Sequence, residues 1–413
     1  MAAFELTQGK PYKLILLFMI PIFFGNMLQQ FYHFVDALIV GRFIGIKALA
    51  AVGATTPLIF LAISFIFAST QGFSVVLAQK FGAHDYAMVK KSFASAIILS
   101  LALTIILTLI FAPLTNFMLK ILRTPPDILK PACDYLFIMI AGIFATIYYN
   151  VISNTIRALG DSKTPLYFLI FSVITNVFLD ILFIIKFHWG VIGAASATVL
   201  AQAISTLFCL VFMYIKFPML HLKKQDWKIS KDFMLEHLRI GIPMGFQMSV
   251  LTLGIIALQF VLNGFGSTAV AAFTTATRIE QIFSQMFLAL GATMAVYTAQ
   301  NFGAKKLSRI KEGAKSALLI ATIMGILTII IITFFKTNLV SMFMDKIDLK
   351  VLNLANLYLS IVCICMFFLG YLLIFRNILQ GMGSVIIPLS SGIAELIARA
   401  LGAFVLGYYF KYT

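Results

Sequence analysis

Apolar stretches fill this chain, parted by short polar breaks. They cover residues 13–40, 48–75, 91–118, 132–158, 165–186 and 190–216, then 236–262, 268–298, 313–336, 352–376 and 385–409. Each reaches the roughly 20 residues that a helix needs to cross a bilayer. Only helices or closed barrels satisfy their backbone groups inside lipid, and runs of this length predict helices. The longest polar break, FPMLHLKKQDWKISK (Phe217–Lys231), separates the sixth stretch from the seventh. The division expected from it is an N-terminal six-helix lobe at 1–216, a cytoplasmic linker at 217–235 and a C-terminal lobe at 236–413.

The pattern repeats. AQKFGA (Ala78–Ala83) follows the second stretch and AQNFGA (Ala299–Ala304) follows the eighth, 221 residues later. Pro21 matches Pro243 at an offset of 222, and Asn154, Gly160 and Pro165 match Asn377, Gly383 and Pro388 at 223. Anchors this far apart at nearly one offset indicate a duplicated six-helix unit. Six crossings return the chain to the side it started from, so both copies point the same way. The fold class expected is therefore an all-α polytopic membrane protein: two six-helix bundles related by a pseudo-twofold axis along the membrane normal. Adding the offset to the sixth stretch lands on Thr413, so a twelfth helix is expected beyond the last residue given.

Composition agrees with lipid. Of 413 residues, 61% are hydrophobic and 11% charged, against about 25% charged in a soluble domain. The net charge of +16 is spread among the breaks and forms no single basic patch, so no nucleic-acid partner is expected. With the N-terminus placed in the cytoplasm, nineteen Lys and Arg (Arg376 among them) fall on the inner side and ten (including Lys346 and Lys411) on the outer. That is the direction of the positive-inside rule. The four cysteines have neither metal nor disulfide spacing and read as packing residues. The sequence lacks a Walker A loop, an H-E-x-x-H helix and a G-x-S-x-G turn, so no enzyme and no cofactor are expected. A pump without a nucleotide site must run on an ion gradient.

Candidate chemistry lies in the ionisable residues inside the stretches, because a charge in mid-bilayer is costly and is usually kept for function. Asp36 lies in the first stretch and Asp180 in the fifth, each roughly 10–12 Å below the outer end at 1.5 Å per residue. Thr198 lies at similar depth on the sixth, and Asn176 one helical turn from Asp180 on the same face. These four would meet in one pocket. Two carboxyl groups in a dry pocket suit a proton acceptor. With amide and hydroxyl oxygens they equally suit Na⁺, and no other metal is expected. Pro21, fifteen residues before Asp36, would allow a helix kink.

The second copy differs. At the 223 offset Asn176 maps to Arg399 and Asp180 to Ala403. Arg278 and Glu280 in the eighth stretch, with Glu395 and Arg399 in the eleventh, are expected to neutralise one another, or to take part in substrate binding. Further polar lining is expected from Gln247, Gln281, Asn150, Asn154, Tyr32 and Tyr149. The aromatic and methionine-rich interior suits flat amphiphilic cations.

These features together, with RALGDSKTP (Arg157–Pro165), VDALIVGRFIG (Val35–Gly45) and TNVFLDILFI (Thr175–Ile184), resemble the multidrug and toxic compound extrusion (MATE) transporters. The likeness covers essentially the whole chain and is nearest to the prokaryotic branch that includes the DNA-damage-inducible F proteins. It implies efflux of amphiphilic organic cations by H⁺ or Na⁺ antiport with alternating access. It places the coupling-ion site at Asp36, Asn176, Asp180 and Thr198, with a first helix that bends at Pro21 on protonation. It implies the plasma membrane of a prokaryote, and the chain is expected to act as a monomer. A lipid-linked sugar flippase is the competing reading. It would want several uncompensated Arg or Lys in the cavity.

Overall fold

The computed structural model describes residues 5–343 and 348–405, with the backbone alone at Ile256, Ala257, Gln259, Phe260, Asn263 and Phe404. Lys346, Lys411 and the end of the last expected stretch (406–409) lie outside the described residues.

Helices dominate, and no strand occurs among the described residues. The first repeat contains α1 (Pro11–Phe43), α2 (Ile46–Gly82), α3 (Tyr86–Ile121), α4 (Pro126–Ala141), α5 (Ile143–Ala158), α6 (Lys163–Asp180) and α7 (Gly190–Lys216). The second contains α8 (Lys231–Asn263), α9 (Ser267–Gly303), α10 (Leu307–Ser341), α11 (Leu349–Gly381) and α12 (Ile386–Phe404). Among the described residues ten helices are long and apolar enough to cross a membrane, or eleven spans when α4 and α5, which meet at 42°, count as one. These are the eleven stretches read from the sequence, and the chain is a multi-span membrane protein.

The duplication is visible element by element. α1 and α8 both have 33 residues, and α2 and α9 both have 37. The chain enters α2 and α9 through Gly45 and Gly266, at φ 116° and 89°. It leaves α5 and α11 through Gly160 and Gly383, at φ 89° and 85°. Such positive φ values suit glycine alone among residues without a local hydrogen-bonding side chain. One asymmetry is the break inside the fourth span. A Cβ on Gly142 would clash with both methyl groups of Val199. Glycine there lets α5 press onto α7, whereas its counterpart α11 runs unbroken.

Contacts divide the chain otherwise than the polar break does. One compact unit holds residues 1–5 and Phe24–Gly245, and the other holds Leu6–Phe23 and Phe246–Thr413. The expected limits were 1–216, 217–235 and 236–413. The difference lies in the two proline-bearing helices. The opening half of α8 packs in the first unit, where Met234 and Leu238 meet Phe73, Leu99 and Ile147. A Cβ on Gly72 of α2 would stand 2.5 Å from the Cα of Gly241. The opening half of α1 packs in the second unit, where Ile15, Phe18 and Ile22 meet Phe287, Leu290 and Ile374. Each exchange occurs two residues after a proline, Pro21 or Pro243, at the repeat offset of 222. The helix runs on across both prolines, although each lacks the N–H that would donate to the carbonyl four residues before.

The motif loops secure these halves. In the second unit Leu6 donates its backbone N–H to Gln300 Oε1 (2.9 Å), and Asn301 Nδ2 donates to the Leu6 carbonyl (3.2 Å). Arg309 Nη2 donates to the Gly9 carbonyl (2.9 Å). In the first, Lys80 of AQKFGA pairs with Glu236 of α8 at 3.3 Å.

Candidate functional site

The first unit gathers its polar groups where α1, α6 and α7 approach one another. Asp180 is fully buried at the last residue of α6, and Asp36 on α1 is 9% exposed. Their carboxyl groups are within hydrogen-bonding reach of each other. Ionised carboxylates offer acceptors only, so two at this range repel unless a proton or a cation lies between them. The remaining oxygen of each, Asp36 Oδ1 and Asp180 Oδ1, is buried without a hydrogen-bond partner among the described residues.

Asn176 is one turn before Asp180. With its amide turned to suit the neighbours, its nitrogen donates to Asp180 Oδ2 over 3.0 Å and its oxygen accepts from the Thr198 backbone N–H over 3.3 Å. Tyr32, one turn before Asp36, donates its hydroxyl to Thr198 Oγ1 at 3.2 Å. The chain then widens into a π-helical turn over Ile181–Lys186. Such turns are rare and cluster at functional sites. The structure thus brings Asp36, Asn176, Asp180, Thr198 and Tyr32 together. It adds Tyr135, buried on α4 in the cluster with Ile39, Val40 and Ile184 and within electrostatic range of both carboxyls, which the sequence did not single out. One tyrosine among 14, with no spacing relation to the acids, carries no signal.

Other predicted lining residues have local partners. Asn150 Nδ2 donates to the Thr146 carbonyl of its own helix (2.8 Å), and Asn154 Nδ2 to Thr70 Oγ1 on α2 (3.2 Å). Tyr149 donates to the Pro165 carbonyl at 3.3 Å. The last two of these bonds tie α5 to α2 and α6, and all three give the side chains partners other than the acid pair.

In the second unit the expected four-charge cluster is replaced by a different pairing. Glu395 accepts from Arg399 (2.8 Å), as the i, i+4 spacing implies, and also from Arg376 (3.3 Å). Arg376, expected at the inner surface, lies inside α11 and is 8% exposed. The helix extends five residues beyond the apolar stretch, and the acid on α12 compensates the charge. Glu280 accepts from the Tyr358 hydroxyl at 2.6 Å. Arg278 is exposed and makes no ion pair among the described residues. Gln281 is exposed as well, while Gln247 is buried and accepts from Gln380 Nε2 at 2.7 Å.

A duplicated helical bundle in which, among the described residues, one copy carries a buried acid pair and the other does not defines a polytopic membrane protein with two unlike repeats. The profile of the MatE family matches residues 21–182 and 243–405, once in each repeat, and the chain belongs to that family. It is 34% identical over 306 residues to the probable multidrug resistance protein YpnP of Bacillus subtilis, covering 73% of this chain and 68% of that one. It is 24% identical over 395 residues to the multidrug export protein MepA of Staphylococcus haemolyticus, covering 94% and 86%. Among solved structures, the outward-facing conformation of a multidrug resistance MATE family transporter of the MOP superfamily superposes with a TM-score of 0.90. That match has 23% identity and covers 99% of this chain and 90% of that one.

Proposed function

We propose that this protein exports amphiphilic organic cations across the plasma membrane of a bacterium, in exchange for H⁺ or Na⁺, by alternating access. The N-terminus lies in the cytoplasm and the working unit is one chain. The observation that supports this reading is the approach of two buried acids, Asp36 and Asp180, each with an oxygen that has no hydrogen-bond partner among the described residues; we take the pair to hold one proton. A pair in that state can lose its proton or accept a cation with little rearrangement of the surrounding helices. Bound Na⁺ would take oxygens from Asp36, Asp180, Asn176 and Thr198, a set of hard ligands of the kind alkali and alkaline-earth cations prefer.

Exchange follows from competition. An ion bound at the pair removes one of the two negative charges that an organic cation would meet, so each weakens the other. Either ligand shifts the access equilibrium only by the difference in its affinity for the two states. The printed names of YpnP and MepA, a multidrug resistance protein and a multidrug exporter, support this choice of substrate class.

The test is ethidium efflux from cells expressing the full chain, wild type beside Asp36→Asn, with the pH gradient and then the Na⁺ gradient collapsed. Wild type is expected to export, with one gradient carrying most of the rate, and the variant to fail. Equal export by both proteins refutes the coupling role of the pair.

A further inference from the structure

The linker after α7 takes no part in the exchange described above. It leaves one membrane span at Lys216 and enters the next at Lys231, and all of it belongs to the first unit. It does not loop away from the helix ends. A 3₁₀ turn at Pro218–Leu220 and a second at Lys224–Trp227 both pack against α3, the first against α7 as well. Phe217 and Leu220 are buried. The His221 ring stacks on Tyr214 of α7, with 4.0 Å between centroids, and its Nε2 donates to the Tyr214 carbonyl at 2.7 Å. A segment folded back onto the ends of two spans lies at the level of the lipid headgroups.

Its outward charges are mostly of one sign. Lys223, Lys224, Lys228 and Lys231 are exposed and make no ion pair among the described residues. Asp226 is 6% exposed and accepts from the Lys223 backbone N–H at 2.7 Å, so its carboxylate holds the turn from inside. Glu236 on α8 is paired with Lys80. Counting Asp226 and the exposed Asp232 against the four lysines, residues 217–232 keep two net positive charges. Trp227 stands among these lysines and is 44% exposed. A loop that merely faced water would gain nothing from a large exposed indole. At a membrane boundary an indole is favoured, and basic residues next to a span attract acidic lipids.

We propose that this linker is a docking surface for acidic phospholipid headgroups. Lys223, Lys224 and Lys228 meet the phosphates, and the Trp227 indole seats at the boundary between headgroups and acyl chains. The proposal depends neither on the direction in which the chain crosses the membrane nor on the exchange reading above.

Trp227 supplies the probe, because the chain has two tryptophans. The full chain carrying Trp189→Phe is placed in phosphatidylcholine vesicles with dibrominated phosphatidylglycerol or dibrominated phosphatidylcholine at the same mole fraction, and quenching of Trp227 fluorescence is read. One lysine near the surface favours an acidic headgroup about fivefold. Phosphatidylglycerol is therefore expected to be preferred at Trp227 by about fivefold or more at low salt, and by less as salt rises. Lys223→Gln, Lys224→Gln and Lys228→Gln together should bring the preference close to one. The same three positions changed to arginine should keep it, which separates lost charge from a disturbed fold. Equal quenching by the two lipids in the parent protein, a preference that survives the three glutamines, or a Trp227 that neither lipid quenches overturns the proposal. None of these results bears on the acid pair, which the ethidium assay reads.

Discussion

Replacing Gly72 with alanine inserts one methyl group where two helices of the first unit touch. The added carbon would stand 2.5 Å from Gly241 Cα and 2.9 Å from Gly241 N, whereas carbon atoms in contact prefer 3.5–4.0 Å. The obstruction is backbone, so no side chain can swing aside. α2 and the opening half of α8 must move apart by about 1 Å, loosening Gly245 from Ser69 and Gly241 from Phe73. Overpacking of this kind costs about 1–3 kcal/mol. At about 2–4 °C per kcal/mol for a unit of this size, the melting temperature falls by roughly 2–12 °C. Gly53→Ala, on the same helix, is the control. Nothing lies within 4 Å of its new carbon, and removing a helical glycine is worth about 1 kcal/mol of stability. The two substitutions are chemically identical and opposite in predicted sign. The assay is thermal unfolding of the purified protein in detergent, followed by the loss of monodisperse protein. If Gly72→Ala is as stable as Gly53→Ala, the close approach of α2 and α8 is wrong, and with it the assignment of the opening half of α8 to the first unit.

Tyr32→Phe removes the hydroxyl bond to Thr198 at a cost of about 1 kcal/mol and should reduce ethidium efflux several-fold without abolishing it. Efflux at the wild-type rate would mean that this bond does not position the site. Glu395→Gln leaves Arg376 and Arg399 without a counter-charge. Glu395 is 24% exposed, so the loss is discounted from the fully buried case to about 1–3 kcal/mol, readable as a lower melting temperature. At the α5–α6 turn, burial alone would push the Asp161 carboxyl up. Lys216 at 2.6 Å and the Thr164 donors outweigh it and hold the group below its free value of 3.8. Its stabilisation is therefore complete above that value and lost as pH falls through the lowered one. In melts across acid pH, Asp161→Asn should flatten that part of the profile.

Hydropathy made the spans legible because lipid leaves the backbone no alternative to helix, and the six-helix repeat survives in short motifs with fixed backbone demands. Asp36, Asn176, Asp180 and Thr198 could be placed together because depth along a helix is simple arithmetic at 1.5 Å per residue. The side chains that partner buried charges were less legible. Arg376 reads as the end of a stretch, since nothing nearby in sequence announces Glu395 nineteen residues later. Tyr135 and Tyr358 are aromatic residues in aromatic-rich helices, and only packing sets them near acids. The exchange of helix halves after Pro21 and Pro243 left no mark in hydropathy, because both halves are apolar wherever they pack. It depends on glycines 241 and 245, whose importance appears only once Gly72 and Ser69 stand opposite them.

The central claim is that the Asp36–Asp180 pair holds a proton that an organic cation displaces. The direct measurement is proton release from the purified full chain in weakly buffered, Na⁺-free solution as tetraphenylphosphonium is added. Wild type should release about one proton per bound cation, since the pair is taken to hold one, and Asp36→Asn should release none. Equal release from both proteins, or binding to wild type without release, would contradict the account.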